Sequence, residues 1–197
     1  MERAIFAGGC FWCTEAYFLE LEGVEDINPG YIGGHQDHPT YEMICTGNTG
    51  HVEAIEIMYD PKKISYINLL EVFFDTHDPT QVDGQGNDIG SQYMSAIYYT
   101  NDMQKQEAAN YIEKIFINYS DPIITKLYSE KIFYIAEDYH KNYFNNNRQQ
   151  PYCQIVIEPK YAKFKAKYCS LLKKYSYKLI LYFSNISSLN SIPVPGT

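Results

Sequence analysis

From His51 to Tyr59 the residues alternate with the period of an extended strand. Glu53, Ile55, Ile57 and Tyr59 fall on one face, and Val52, Ala54, Glu56 and Met58 fall on the other. Asp60-Pro61 ends the pattern. Ser65 then offers a helix N-cap before Ile67, Leu70, Val72, Phe73 and Phe74, which carry helical apolar spacing. The strand turns the carboxyl of Glu53 toward apolar companions, where burial disfavours the charged form and raises its pKa, so that it could donate a proton. The competing reading is a Glu53 at a strand end, partly wet and merely near the core.

Around this segment the chain reads as strand 3–7, helix 10–21 closed by Gly23, strand 24–31 ended by Gly30-Tyr31-Ile32-Gly33-Gly34, and a long polar loop from His77 to Tyr93. A strand at Ser95–Tyr99, a helix at 102–117, a short strand at Ile123–Lys126 and a helix at 136–144 follow. Asn145-Asn146-Asn147 then opens a flexible polar stretch, with a last strand at Gln154–Ile157, a basic helix from Lys160 to Lys174, and a Ser/Asn/Pro-rich tail expected to fray. Strands and helices mixed without strict alternation point to an α+β domain. One domain is expected over residues 1–175, with 176–197 as the tail.

Length and composition agree: 197 residues with 45% hydrophobic and 20% charged suit a single globular domain with a sizeable core. The net charge of −8 is uneven. Residues 158–197 carry seven Lys against one Glu, leaving nine basic against 23 acidic residues before them. An acidic body would repel a phosphate backbone, so nucleic acid is not an expected partner. The late apolar run Leu179–Phe183 is far shorter than the roughly 20 residues that span a bilayer, so no membrane partner is expected. Met1-Glu2-Arg3 leads straight into the first motif, which makes a cytoplasmic address the default expectation. Five cysteines, Cys10, Cys13, Cys45, Cys153 and Cys169, then favour catalytic or redox use over a disulfide scaffold.

Gly8-Gly9-Cys10-Phe11-Trp12-Cys13 brackets the chain's only tryptophan with two thiols. Strand, glycines and helix would put Cys10 at a first helical turn, where free N–H groups and the helix dipole lower a thiol pKa. Three chemistries fit the pair: half of a zinc site, a thioredoxin-like dithiol, or a nucleophile with a nearby resolving thiol whose pocket is walled by Phe11 and Trp12. The zinc reading lacks a second well-spaced pair, so no metal is expected. Buried structural thiols remain a further option. Among 20 tyrosines, Tyr41 and Tyr93 stand out only because each lies in a polar, Gly/Thr/Asp-rich segment, which would free its hydroxyl for a ligand.

Gly9-Cys10-Phe11-Trp12, Gly30-Tyr31-Ile32-Gly33-Gly34, Pro39-Thr40-Tyr41, Thr49-Gly50-His51-Val52-Glu53-Ala54, His77-Asp78-Pro79-Thr80, Gln85-Gly86-Asn87-Asp88-Ile89-Gly90 and Ala136-Glu137-Asp138-Tyr139-His140 together resemble, in order, the motifs of the A-type peptide methionine sulfoxide reductases. The resemblance runs from about Ile5 to about Lys167. It implies an α+β two-layer sandwich, related to the ferredoxin-like folds, with a mixed central sheet and flanking helices. It also implies reduction of the S epimer of methionine sulfoxide, free or in proteins, as a repair of oxidative damage. No cofactor is implied.

By position in the motifs, Cys10 is the nucleophile and Phe11 and Trp12 form the methyl-binding wall. Glu53, Tyr41 and Tyr93 hold the sulfoxide oxygen, while Asp88 and His140 support the substrate from behind. A cysteine sulfenic acid would form on Cys10, condense with a second thiol, and be returned to the dithiol by thioredoxin. Cys13 is expected to resolve first, with Cys153 as relay or spare. A monomer is expected. Two positions depart from the family pattern: Gly84 stands where a long polar residue is usual, and Met94 where Arg is usual.

Overall fold

The structure is a computed structural model that describes residues 1–174. Its elements are β1 (Glu2–Gly8), α1 (Phe11–Phe18), β2 (Val24–Ile32), α2 (Tyr41–Cys45), β3 (Val52–Tyr59), α3 (Tyr66–Thr76), β4 (Gly84–Gln85), β5 (Asp88–Ile89), β6 (Ser95–Tyr99), α4 (Asp102–Ile115), β7 (Lys126–Ser129), β8 (Phe133–Ile135), α5 (Tyr143–Asn146) and α6 (Glu158–Lys167). The tail expected at 176–197 lies outside the described residues.

The alternating segment becomes β3, in the middle of a six-stranded sheet ordered β7-β6-β1-β3-β2-β8. Of the neighbouring pairs only β6 and β7 are parallel, so the sheet is mixed and the α+β class holds. Alternation sends Ile55, Ile57 and Tyr59 into the larger apolar cluster and Val52 and Ala54 into the smaller one on the opposite face. On β1 the run Ala4-Ile5-Phe6-Ala7 is fully buried and divides the same way. Helices α1 and α3 cover the larger face, where Phe6 stacks on Phe73 at 4.9 Å between ring centroids. Each such side chain contributes roughly 1.5–3 kcal/mol of burial free energy.

Local signals set the helix starts. Ser65 caps α3 as expected, in a reciprocal capping box with Asn68 worth about 1 kcal/mol. After α1 the chain reverses through Gly23, whose φ of +92° suits glycine.

Several late elements differ from the expected pattern. The helix expected at 136–144 is instead a 3₁₀ turn, Asp138–His140, followed by α5, with β8 as an edge strand ahead of it. The short strand expected to end at Lys126 begins there. Gln154–Ile157 is no strand: Cys153–Ile157 is a π-helical turn that runs on into α6. The burial pattern shows why. Cys153, Ile157, Tyr161 and Phe164 face the core at helical spacing, whereas Gln154 and Ile155 are exposed. The Asn-rich stretch is partly helical, because Asn145 and Asn146 belong to α5. The polar loop 77–93 is closed by the β4–β5 hairpin. Among the described residues no helix is long and apolar enough to cross a membrane.

A buried charge on α1 couples the fold to pH. Glu15 is 1% exposed, and burial pushes its carboxyl from an ordinary 4.5 to about 7. Because the folded pKa is raised, the native state holds the proton more tightly than the unfolded chain does. Stability from this group is therefore present below 4.5 and lost as pH rises to about 7. The loss amounts to about 3 kcal/mol. Urea melts across this range should show wild type losing stability relative to Glu15→Gln as pH rises; a constant difference between the two would refute the assignment.

Candidate active site

Strand register assembles the site. Phe6 on β1 lies opposite Ile55 on β3, so the next residues of β1 run toward Glu53 and carry the chain into α1. On the other side of β3, Tyr31 of β2 pairs with Glu53, and on the far side of β1, Gly8 pairs with Ser95, the first residue of β6. The start of α1, the start of β3 and the turn before β6 thus meet at one end of the sheet. Gly9 (φ +89°) permits the closeness, since a Cβ there would lie 2.6 Å from the Gln85 side chain.

Cys10 is the N-cap residue of α1, 7% exposed. The Phe11 N–H does not point at its sulfur but donates to Glu53 Oε2 at 3.0 Å. Glu53, 2% exposed, is fully inside, which decides against the wet strand end. Burial raises its pKa well above the ordinary range, and the neighbouring Cys10 raises it further, outweighing the Phe11 hydrogen bond.

The expected low-pKa thiolate at Cys10 is corrected by the structure. Burial raises the Cys10 thiol, the Cys13 sulfur beside it raises it further, and the Trp12 backbone N–H offsets little of this. Cys13 is lowered instead, first by its hydrogen bond with Cys10 and then, against burial, by the positive charge of Lys160. Desolvation outweighs one turn of helix dipole here.

Aromatic groups close around the pair. Trp12 stacks on Tyr143 at 3.8 Å and 8°, and its indole N–H donates to His140 Nδ1 at 2.9 Å. Phe11 packs against His140 at 4.9 Å and Tyr31 at 5.8 Å. His140 is completely buried, and burial lowers its pKa. With Nδ1 accepting from Trp12, the proton of the neutral ring sits on Nε2, which faces Glu137 Oε2 at 3.6 Å.

Tyr41 is not in a loop: it opens α2, capped by Thr40, and its ring lies 4.6 Å from His140 and 6.3 Å from Trp12. Its backbone N–H donates to Glu137 Oε1 at 2.9 Å, while Tyr31 donates its hydroxyl to Glu137 Oε2 at 2.8 Å. Tyr93 ends the 3₁₀ turn before β6. Both Tyr41 and Tyr93 are half-buried, and burial followed by the nearby Glu53 charge raises their pKa values, so both phenols are protonated donors at neutral pH.

Asp88 on β5 accepts the Tyr152 hydroxyl at 2.6 Å, and that oxygen lies 4.0 Å from Cys13 Sγ. Cys153, the next residue, is 0% exposed and faces the core rather than solvent. Sequence reasoning missed Tyr152, Tyr143 and Glu137. Tyr152 stands beside the singled-out Cys153, and Glu137 lies inside one of the seven motifs, but neither has a sequence signal that separates it from 20 tyrosines or many surface carboxylates. Two other motif histidines serve the frame: His51 accepts the Gly34 N–H and bonds Gln36, and His77 bonds Phe73 and Ser95.

The two departures also find a place. Gly84 is buried, and a Cβ there would lie 2.7 Å from the Asp88 carbonyl oxygen, so the hairpin has no room for a long side chain. Met94 packs against the smaller apolar cluster. Among the described residues no group of three or more His, Cys, Asp or Glu side chains is placed to hold a metal ion.

Comparison with known proteins agrees with this geometry. Residues 2–172 match the family model described as peptide methionine sulfoxide reductase. The peptide methionine sulfoxide reductase MsrA of Chromobacterium violaceum is 49% identical over 175 residues, covering 88% of this chain and 99% of that protein. Among solved structures, Mxr1 from Saccharomyces cerevisiae in reduced form superposes with a TM-score of 0.73 at 33% identity, covering 77% of this chain and 88% of the yeast chain. A second structure, of Mxr1 in complex with Trx2, gives a TM-score of 0.52 at 26% identity, covering 72% and 84%.

Proposed function

This chain belongs to the peptide methionine sulfoxide reductase family and is a reductase of methionine sulfoxide, and from that premise we propose that it acts on the S epimer through a sulfenic acid on Cys10. The observation that carries the reading is the contact of Glu53 with the first turn of α1, which sets a protonated carboxyl beside the Cys10 thiol.

Sulfoxide sulfur is a poor electrophile until its oxygen is protonated. Glu53 supplies that proton, and the Tyr41 and Tyr93 hydroxyls hold the oxygen. Phe11 and Trp12 form the apolar wall for the S-methyl group. The Asp88–Tyr152 pair and His140 hold that wall and the sulfur pair in place. Cys10 gives up a proton, which replaces the one Glu53 donates, and attacks sulfur to form a Cys10–substrate S–S bond; the hydroxyl then passes to the Cys10 sulfur as that bond and the substrate S–O bond break, so methionine leaves and Cys10 is left as the sulfenic acid. The lowered pKa of Cys13 supports it as first resolver: its thiolate attacks the Cys10 sulfur, water departs, and a Cys10–Cys13 disulfide forms.

Cys153, buried and within electrostatic reach of Cys10, would accept the disulfide next. Thioredoxin is the external dithiol that fits, as the yeast relative was solved with Trx2. All five cysteines are free thiols, in keeping with work in a reducing compartment such as the cytoplasm. Every side chain in this scheme comes from one chain, so a monomer suffices.

The reduced protein, given each epimer without external reductant, should release methionine from the S form and leave the R form intact. Equal consumption of both, or of neither, would sink the proposal. Thiol titration after one turnover tests the resolver. Cys13→Ser should slow disulfide formation at Cys10 by about tenfold or more and leave a trappable sulfenic acid. A disulfide formed at the wild-type rate would transfer the first step to Cys153.

A further inference from the structure

Glu15 shares α1 with the sulfur pair yet takes no part in the chemistry. It is 1% exposed, and its Oε1 accepts the backbone N–H of Asn142 at 2.7 Å. Helix α5 needs such a partner. Its first N–H groups have no acceptor within the helix, and its N-cap residue, Asn142, held at φ 54° and ψ 36°, makes no side-chain cap of its own. A carboxylate from α1 fills the role that a capping side chain would otherwise play.

What α5 carries gives this cap its consequence. Tyr143, its first residue, lies flat on Trp12 at 3.8 Å, and His140, just upstream, receives the Trp12 N–H. The indole is thus fixed by a segment that Glu15 ties to the indole's own helix. We propose that Glu15 is a positioning residue for the substrate pocket: by binding the backbone at the start of α5 it holds Tyr143 against Trp12 and sets the orientation of the indole. Its effect on turnover rests on the proposed role of Trp12 as methyl wall.

The ionisable groups acting on Glu15 are Lys141, which favours its charge, and Asp26 on β2, which opposes it. Lys141 is itself paired with Asp26 at 3.0 Å. Neither replaces the backbone donor. An apolar residue at position 15 would therefore leave the part-buried Asn142 N–H without its acceptor, whereas an amide keeps a carbonyl oxygen for it.

The test compares Glu15→Leu with Glu15→Gln in the full chain, reading steady-state kinetics with methionine sulfoxide and the emission of Trp12, the chain's single tryptophan. Losing this hydrogen bond should raise KM in the Leu variant by about 10-fold or more, with kcat changed by less than about threefold, and shift its emission. The Gln variant should recover KM to within about threefold of wild type. Equal KM values in Leu, Gln and wild type, with unchanged emission, would overturn the proposal, as would Leu and Gln variants equally impaired. An emission shift without a KM change supports the positioning role and sinks the assignment of Trp12 to the methyl wall. Should the Leu variant not fold, hydrogen exchange on wild type decides: slow exchange at the Asn142 amide supports the cap, and exchange at the rate of an open chain overturns it.

Discussion

Replacing Cys10 by serine should lower turnover of methionine sulfoxide by about 10⁴-fold or more, with binding of substrate largely kept. The position admits no substitute nucleophile. Cys13 lies one helical turn on, is 9% exposed, and sits 4.0 Å from the Tyr152 hydroxyl. A serine hydroxyl can neither attack sulfoxide sulfur at a useful rate nor pass through a sulfenic acid to a disulfide. Methionine release measured by chromatography over a single turnover, with dithiothreitol omitted, checks this directly. A variant retaining more than about one hundredth of the wild-type rate would move the nucleophile elsewhere. Binding should survive because Phe11, Trp12 and the hydroxyls around them are untouched.

Glu53→Gln should lower kcat by about 10²–10³-fold with a much smaller change in KM. Glutamine keeps the volume and can still accept the Phe11 N–H that ties β3 to α1. It loses the transferable proton. The pH profile carries a second signature. Burial raises both Cys10 and Glu53, and Cys10 raises Glu53 further, so the productive form of the two groups is the one holding a single proton. The single-turnover rate of wild type should rise as the first of the two protons leaves and fall as the second leaves. In Glu53→Gln the falling limb should vanish, leaving only the rise as the Cys10 thiolate forms. A variant with wild-type kcat, or with both limbs intact, would remove Glu53 from the chemistry.

Much of this could be read before any coordinates. The alternation of β3, the Ser65 cap and the glycine-flanked entry to α1 are local effects of side-chain period, capping oxygens and backbone freedom, so they appear where the residues place them. The late chain was less legible. Gln154–Ile157 looks like a short strand, but the sheet has no place for it, and burial at helical spacing wins. Asn145 and Asn146 suggest an open loop, yet the cap supplied by Glu15 at the start of α5 lies 127 residues away in sequence.

The site divides along the same line. The chain alone singled out Cys10, Cys13, Glu53 and the Phe11-Trp12 pair, because a nucleophile, an acid and large aromatics are the residue types that chemistry at a sulfoxide requires, and here they stand in ordered motifs. It misjudged the charge on the sulfur pair, placing the thiolate on Cys10 by the helix dipole. Only the tertiary structure decides that point, because desolvation is a property of everything packed around an atom, and here it outweighs one helical turn. The supporting shell belongs to the fold in the same way. Glu137 between Tyr31 and Tyr41, Tyr152 between Asp88 and Cys13, and Glu15 beneath α5 matter through partners far apart in the chain. Sequence supplies the reacting groups, and the distances and burial that tune them arise when the sheet register and the wrapped C-terminal segment close over them.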